Sequence, residues 1–220
     1  MTIGFVALLG IGLIVARVFG FGMPGLNGVA PQGLVSAVFD KQISLISGHA
    51  GSDSGAICSD SNGQLLLTEA DVNASIAAQV AERLRRAGAD VLVLEEFDDR
   101  LTGLHADVLL SLHADSCIDA SGYKAARHSN SPIAGIEDRL LACIDQHYGP
   151  TTGLPRHPNT VTHDMTRYHA FNRVAATTPA AILEMGFLGG DQQLLTRDSA
   201  LAAAGIADSL LCFLADAPAN

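Results

Sequence analysis

Apolar residues in this chain fall into short runs and stripes whose spacing predicts strands alternating with helices. Ile43 to Ser47 reads ISLIS and stops at Gly48, as a buried strand does. The clearest helix spans Thr68 to Gly88: Val72, Ile76, Val80, Leu84 and Ala87 form one apolar stripe, Thr68 can cap it with Asp71, and Gly88 stops it. Strands follow at Val91–Leu94 and Val108–His113, with a further candidate at Gly122–Arg127. Ile136, Leu140, Leu141 and Ile144 predict a second helix over Ile133–His147, behind a Ser131-Pro132 start. Ala180–Leu183 reads as another strand, and Ser199–Leu214 as a closing helix rich in Ala and Leu. This alternation predicts an α/β fold, a single domain with a mostly parallel central sheet flanked by helices on both faces.

The pattern breaks at the N-terminus, where Ile3 to Ala16 reads IGFVALLGIGLIVA without a charge. The run is shorter than the roughly 20 apolar residues of a spanning helix and better suits a signal-peptide core. With Arg17 at an interface, Ile3 to Leu26 serves instead as an uncleaved anchor. No Lys or Arg precedes the run, and Arg17 on its far side opposes the positive-inside tendency. Six glycines between positions 4 and 25 argue against a buried helix. The expected organisation is therefore a signal peptide or membrane anchor over 1–26, a linker over 27–40, one domain over 41–215 and a tail over 216–220.

Composition narrows the classes further. Of 220 residues, 48% are hydrophobic and 16% charged, with mean hydropathy +0.28, which excludes a disordered polyampholyte. Thirteen basic against 23 acidic residues give a net charge of −10, and no basic cluster offers a phosphate-binding surface, so nucleic acid is excluded as a partner.

The candidate chemistry lies where the predicted strands end. ISLISGHAG delivers His49, VLLSLHADS delivers His113 and AAILEMGF delivers Glu184. In an open parallel sheet the C-terminal strand ends line the ligand crevice, so these distant residues can converge. Glu69 opens the long helix, whose dipole favours a charged carboxylate there. A buried, unpaired Glu184 would cost several kcal/mol, so something must compensate it. Two histidines and a glutamate around a divalent metal, with a second glutamate beside it, account for all four residues. That donor set with one open position is the set of catalytic zinc.

The same residues carry a resemblance. Gly48-His49-Ala50-Gly51 with Asp53 and Gly55-Ala56, then Thr68-Glu69-Ala70, Ser111-Leu112-His113-Ala114-Asp115 and Leu183-Glu184-Met185-Gly186-Phe187 resemble, in order, the zinc-dependent N-acetylmuramoyl-L-alanine amidases of bacterial cell-wall hydrolysis. The resemblance covers roughly Lys41 to Leu214. It implies Zn²⁺ held by His49, Glu69 and His113 at the C-terminal strand edge, with Glu184 as catalytic general base and acid. It also implies peptidoglycan as the partner, cleaved by zinc-activated water between the muramoyl lactyl group and L-alanine, in an extracytoplasmic, cell-envelope location. No protein partner is implied. Departures from the family pattern are Ala50 in the first motif, Gly189-Gly190 before Asp191, and His105 where an Asn is usual. A zinc peptidase of the stem peptide and a catalytically silent wall-binding module are the alternatives.

Leu104-His105-Ala106-Asp107 echoes Leu112-His113-Ala114-Asp115, but His105 precedes its strand and is expected at the opposite sheet edge. His128, His163 and His169 are candidates for a substrate-facing role, while His147 and His157 read as helix-end and loop residues. Arg156, Arg167 and Arg173 are placed to meet stem-peptide carboxylates, against a default of solvated surface. Cys58 and Cys117 leave the same strand-end edge, which brings them within reach of a disulfide, with two free thiols as the alternative. Cys143 and Cys212 lie on helix stripes and are expected as buried thiols.

Overall fold

Successive residues of a strand point to opposite faces of its sheet, and here that alternation divides the core in two. The structure, a computed structural model, describes residues 38–215. The leader over 1–26, nearly all of the 27–40 linker and the 216–220 tail lie outside the described residues.

The main sheet has the order β4-β1-β5-β7-β6, with β1 at Gln42–Ser47, β4 at Asp90–Leu94, β5 at Val108–Asp115, β6 at Lys124–Ala126 and β7 at Ala180–Phe187. All neighbours pair in parallel except β6, which runs antiparallel to β7 on the edge. β2 (Ile57–Ser59) and β3 (Leu65–Thr68) form a separate hairpin that sequence patterning missed. Its signal was Asn62-Gly63 between two apolar runs.

The helices are α1 (Glu69–Arg86), α2 (Ala134–Thr152), α3 (His163–Thr166), α4 (Gln192–Thr196) and α5 (Ser199–Ala215). Ile43, Leu45, Leu110, Leu112, Ala181 and Leu183 face the apolar stripes of α1, α2 and α5 in one large core. The opposite face presents Ile46, Leu109 and Ile182 to Leu101, Met165, Tyr168, Ala170 and Val174. Helices do flank both faces, but the three long ones share one face, and the other is covered by α3 and short 3-10 turns. Among the described residues no helix is long and apolar enough to cross a membrane.

Two details set the site. Thr68 caps α1 as expected: its Oγ1 accepts from the Asp71 N–H at 3.2 Å and donates to Asp71 Oδ2 at 2.6 Å, which fixes Glu69 in the first helical residue. Parallel pairing brings Ser111 beside Ile182 and His113 beside Glu184.

The cysteines give one expected and one corrected result. Cys58 and Cys117 are bonded, tying the β2–β3 hairpin to the loop after β5. Cys143 and Cys212 are bonded as well and are not thiols. They lie on facing positions of α2 and α5, with Cα atoms 5.8 Å apart. Gly205 of α5 packs against the Cα of Tyr148 of α2, where any added Cβ would lie 3.2 Å away, so the two helices approach closely. Separate apolar stripes in sequence could not show that they meet.

Candidate active site

The site is built from three strand ends and one helix start. β1 is followed by Gly48 and His49, and His49 adopts the left-handed conformation with φ 66°. Gly48 is required by the His113 ring: a Cβ there would lie 2.5 Å from Cε1 of His113. Gly55, at φ 61°, likewise leaves space that a Cβ would take from Glu69 and the His49 ring.

His49, Glu69 and His113 converge, with one donor atom from each within 4.8 Å of the others. Glu69 Oε1 lies 3.2 Å from His49 Nε2 and 3.0 Å from His113 Nδ1. Its Oε2 accepts from the Ala56 N–H at 3.0 Å, and Asn73, one turn further along α1, donates to Gly48 O at 3.1 Å. His49 Nδ1 meets Asp53 Oδ1 at 2.6 Å, which leaves Nε2 turned to the cluster. A carboxylate on the remote nitrogen fixes ring orientation and tautomer in metal sites.

Glu184 completes the group. Its Oε2 is buried without a hydrogen-bond partner. Burial pushes its carboxyl up to about 7; Glu69 and Asp115 add to this, and His113 and Lys124 oppose it. The His113 imidazole is pushed up to about 10, because hydrogen bonds to Glu69 and Glu96 and the charge of Glu184 outweigh its burial. Three carboxylates around one buried ring thus leave a surplus of negative charge that a cation neutralises. A metal ion held by the converging nitrogens and oxygen fits that requirement.

Lys124, Glu96 and Tyr168 are further parts of the site that sequence reading missed. Lys124 is register-paired with Glu184 across β6 and β7, and its buried ammonium donates to Asp115 and to Thr160 O. Glu96 follows β4, two residues after Leu94, and is buried. It was detectable by the rule that found His49 and His113, a polar residue just past a parallel strand. Tyr168 covers His113 with ring centroids 5.6 Å apart, and nothing in its local sequence distinguished it from other aromatic core residues.

The other candidates are spread out. β6 runs antiparallel, so its end carries His128 to the sheet edge opposite the cluster, beside Ala180 and Phe171, and not to a substrate-facing position by the cluster. His169 donates from Nε2 to Glu96 Oε1 at 2.8 Å and stacks on Phe97, so it belongs to the site wall. His163 and Arg167 are exposed at the two ends of α3. His157, read as a loop residue, packs its ring on Phe187 at the C-terminal end of β7. Arg156 pairs with Asp145, Arg173 bonds Thr102, and His105 is exposed before β5.

Two histidines and a carboxylate at the C-terminal edge of a parallel sheet, with another carboxylate beside them, define a metallohydrolase-type α/β domain. The profile of the N-acetylmuramoyl-L-alanine amidase family matches residues 43–211, and the chain belongs to that family. Solved structures share the fold at low identity. The catalytic domain of CwlV, an N-acetylmuramoyl-L-alanine amidase from Bacillus (Paenibacillus) polymyxa var. colistinus, is 22% identical with TM-score 0.56, over 77% of this chain and 96% of that one. Ami1 of Mycobacterium smegmatis is 15% identical with TM-score 0.61, over 80% and 98% of the two chains. The CwlD amidase of Clostridioides difficile, solved in complex with the GerS lipoprotein, is 18% identical with TM-score 0.59, over 80% and 98%. The uncharacterized protein YqiI of Bacillus subtilis (strain 168) is 31% identical over 111 residues, 46% of this chain and 50% of its own length. The chain thus spans about half the length of that curated relative.

Proposed function

We propose that this domain hydrolyses the amide between the lactyl group of N-acetylmuramic acid and the L-alanine of the peptidoglycan stem peptide. In this reading zinc is held by His49, Glu69 and His113, and Glu184 is the catalytic carboxylate. The observation that carries it is the convergence of His49 Nε2, Glu69 Oε1 and His113 Nδ1 on the edge where Glu184 is register-paired with His113. Imidazole nitrogens with one carboxylate oxygen are borderline donors that suit zinc. Held by His49, Glu69 and His113, zinc would supply Lewis-acid polarisation of the scissile carbonyl and a lowered pKa for the attacking water, from about 15.7 towards about 7.

The chain's own residues supply the rest. Glu184 Oε2, buried and without a partner, accepts a proton from the attacking water and passes it to the amine nitrogen as the C–N bond breaks. Burial of this carboxyl favours its holding the proton between the two steps. Asp53 and Glu69 orient the His49 ring, and His163 and Arg167 are the exposed polar side chains offered to stem-peptide carboxylates.

Mass analysis of products from purified sacculi tests the reading. Free stem peptides with intact glycan strands are expected. Shortened stems would show a peptidase instead, and no product would show a wall-binding module. Elemental analysis of the purified protein should give one zinc per chain.

The same reading assigns 1–26 as a signal peptide or anchor, 27–40 as a linker, 41–215 as the catalytic domain and 216–220 as a tail, with the domain in the cell envelope. Two disulfides support an oxidising compartment. Digestion of the domain by protease added to cells stripped of their wall is expected, and full protection would reject export.

A further inference from the structure

Among the described residues, Glu96 is a buried carboxylate outside the four proposed active-site residues that meets four partners. Its Oε2 accepts from the His49 backbone N–H at 2.9 Å and faces His113 Nε2 at 3.5 Å. Its Oε1 accepts from the Tyr168 hydroxyl and from His169 Nε2, both at 2.8 Å. Ser111 in turn donates to the Tyr168 oxygen at 3.0 Å. One buried side chain therefore touches the end of β1, the ring on β5 and the turn that covers the sheet.

The consequence follows from imidazole chemistry. A neutral ring has one N–H and one lone pair, and only the lone pair can bind a metal. His113 turns Nδ1 to Glu69 and the cluster, so its N–H belongs on Nε2, which is otherwise buried without a partner. Glu96 Oε2 is the acceptor facing it. His49 solves the same problem the other way round, with Nδ1 on Asp53 and Nε2 on the cluster, but Asp53 is 61% exposed and water can stand in for it. Water has no such access at Glu96, which is 6% exposed.

We infer that Glu96 is a positioning residue of this site: it holds the His113 ring with Nδ1 presented to the metal, and through the His49 backbone, Tyr168 and His169 it joins both histidines to the covering turn. The inference rests on the zinc reading given above. It concerns how the ligands are held and not which bond is cut.

The test is zinc affinity of the folded full chain, measured by competition with a chromogenic chelator, together with the visible absorption of the Co²⁺-substituted protein. E96Q keeps shape but replaces an acceptor-only group by an amide whose nitrogen cannot accept. It is expected to weaken zinc binding 10- to 100-fold and to alter the Co²⁺ bands. With zinc saturating, kcat on a soluble muramoyl peptide should fall at least tenfold while KM moves less than threefold. Zinc affinity and Co²⁺ bands matching those of the unsubstituted chain would overturn the inference. Should E96Q fail to fold, Y168F removes only the hydroxyl that donates to Glu96: a three- to tenfold loss of zinc affinity is expected, and an unchanged affinity overturns the inference. A parent chain that binds zinc but releases no stem peptide defeats the amidase reading while leaving the affinity comparison intact. Stem-peptide release at equal zinc affinity in parent and variant defeats this inference alone.

Discussion

The tetrapeptide Leu-His-Ala-Asp occurs twice, at 104–107 and 112–115, and the two copies have opposite fates. The first precedes β5 at the N-terminal edge of the sheet, with His105 exposed. The second ends β5, with His113 buried among Glu69, Glu96 and Tyr168. Even their aspartates are parallel: Asp107 pairs with Lys41, about one-third exposed, and Asp115 with buried Lys124. Chemical identity is the same in both; the strand between them moves the second to the edge where β1 and β7 also deliver polar residues.

Substitutions can break this contrast, and the largest effect is expected at the histidines. His113→Ala should abolish zinc binding and lower amide hydrolysis by at least about a thousandfold, or about 4 kcal/mol in barrier. His105→Ala should leave both within about twofold. Equal losses in a sacculus-digestion assay would show that the two copies are not distinguished by position.

The aspartate pairs come next. Lys124→Met strands a largely buried Asp115 and should cost about 3–5 kcal/mol in urea unfolding. Lys41→Met breaks a pair whose side chains are about one-third exposed and should cost under about 1 kcal/mol. Similar midpoint shifts would contradict the difference in burial.

Cys117 follows the second copy and anchors its exit loop to the hairpin through Cys58. Replacing both by Ala should lower stability by about 2–4 kcal/mol and weaken zinc binding. The Cys143–Cys212 pair joins α2 to α5, away from the strand ends, so its double Ala variant should lose similar stability with zinc affinity unchanged. Chelator competition on both variants separates the two disulfides.

A pH-dependent effect concerns Glu184, the strand partner of the second copy. Burial chiefly raises its carboxyl from 4.5 to about 7, so between those values the folded chain keeps a proton that the unfolded chain has released. Metal-free stability therefore falls as pH rises through that window and levels off above it. Glu184→Gln removes this penalty and should be more stable at pH 8 by roughly 1–3 kcal/mol, with no gain at pH 4. It should also retain zinc and lose most turnover. A stability gap that does not change between the two pH values would show that Glu184 is not desolvated as described.

Much of this was legible in residue order because it is local. Val72, Ile76, Val80 and Leu84 mark α1 by period alone, and Thr68 with Asp71 marks its start. Apolar strands running into His49, His113 and Glu184 marked the site, because a parallel sheet collects such ends on one edge. Strand direction was less legible. β6 is only Lys124–Ala126, and nothing in so short a run reveals that it pairs antiparallel and takes His128 away from the cluster. Nothing local to Asn73 or Tyr168 marks a role at the site, since their hydrogen-bond partners lie 25 and 72 positions away in sequence.

By itself, then, the sequence determined the long helices and the strands of the main sheet, the polar residues at their ends and the donor types that suit zinc, since these follow from period and from side-chain chemistry. Only the tertiary structure decided which nitrogen of each histidine faces the cluster, that Glu96 stands behind His113, and that Cys143 meets Cys212. Those outcomes depend on distances of a few ångströms between segments far apart in the chain, which packing sets and local patterning does not carry.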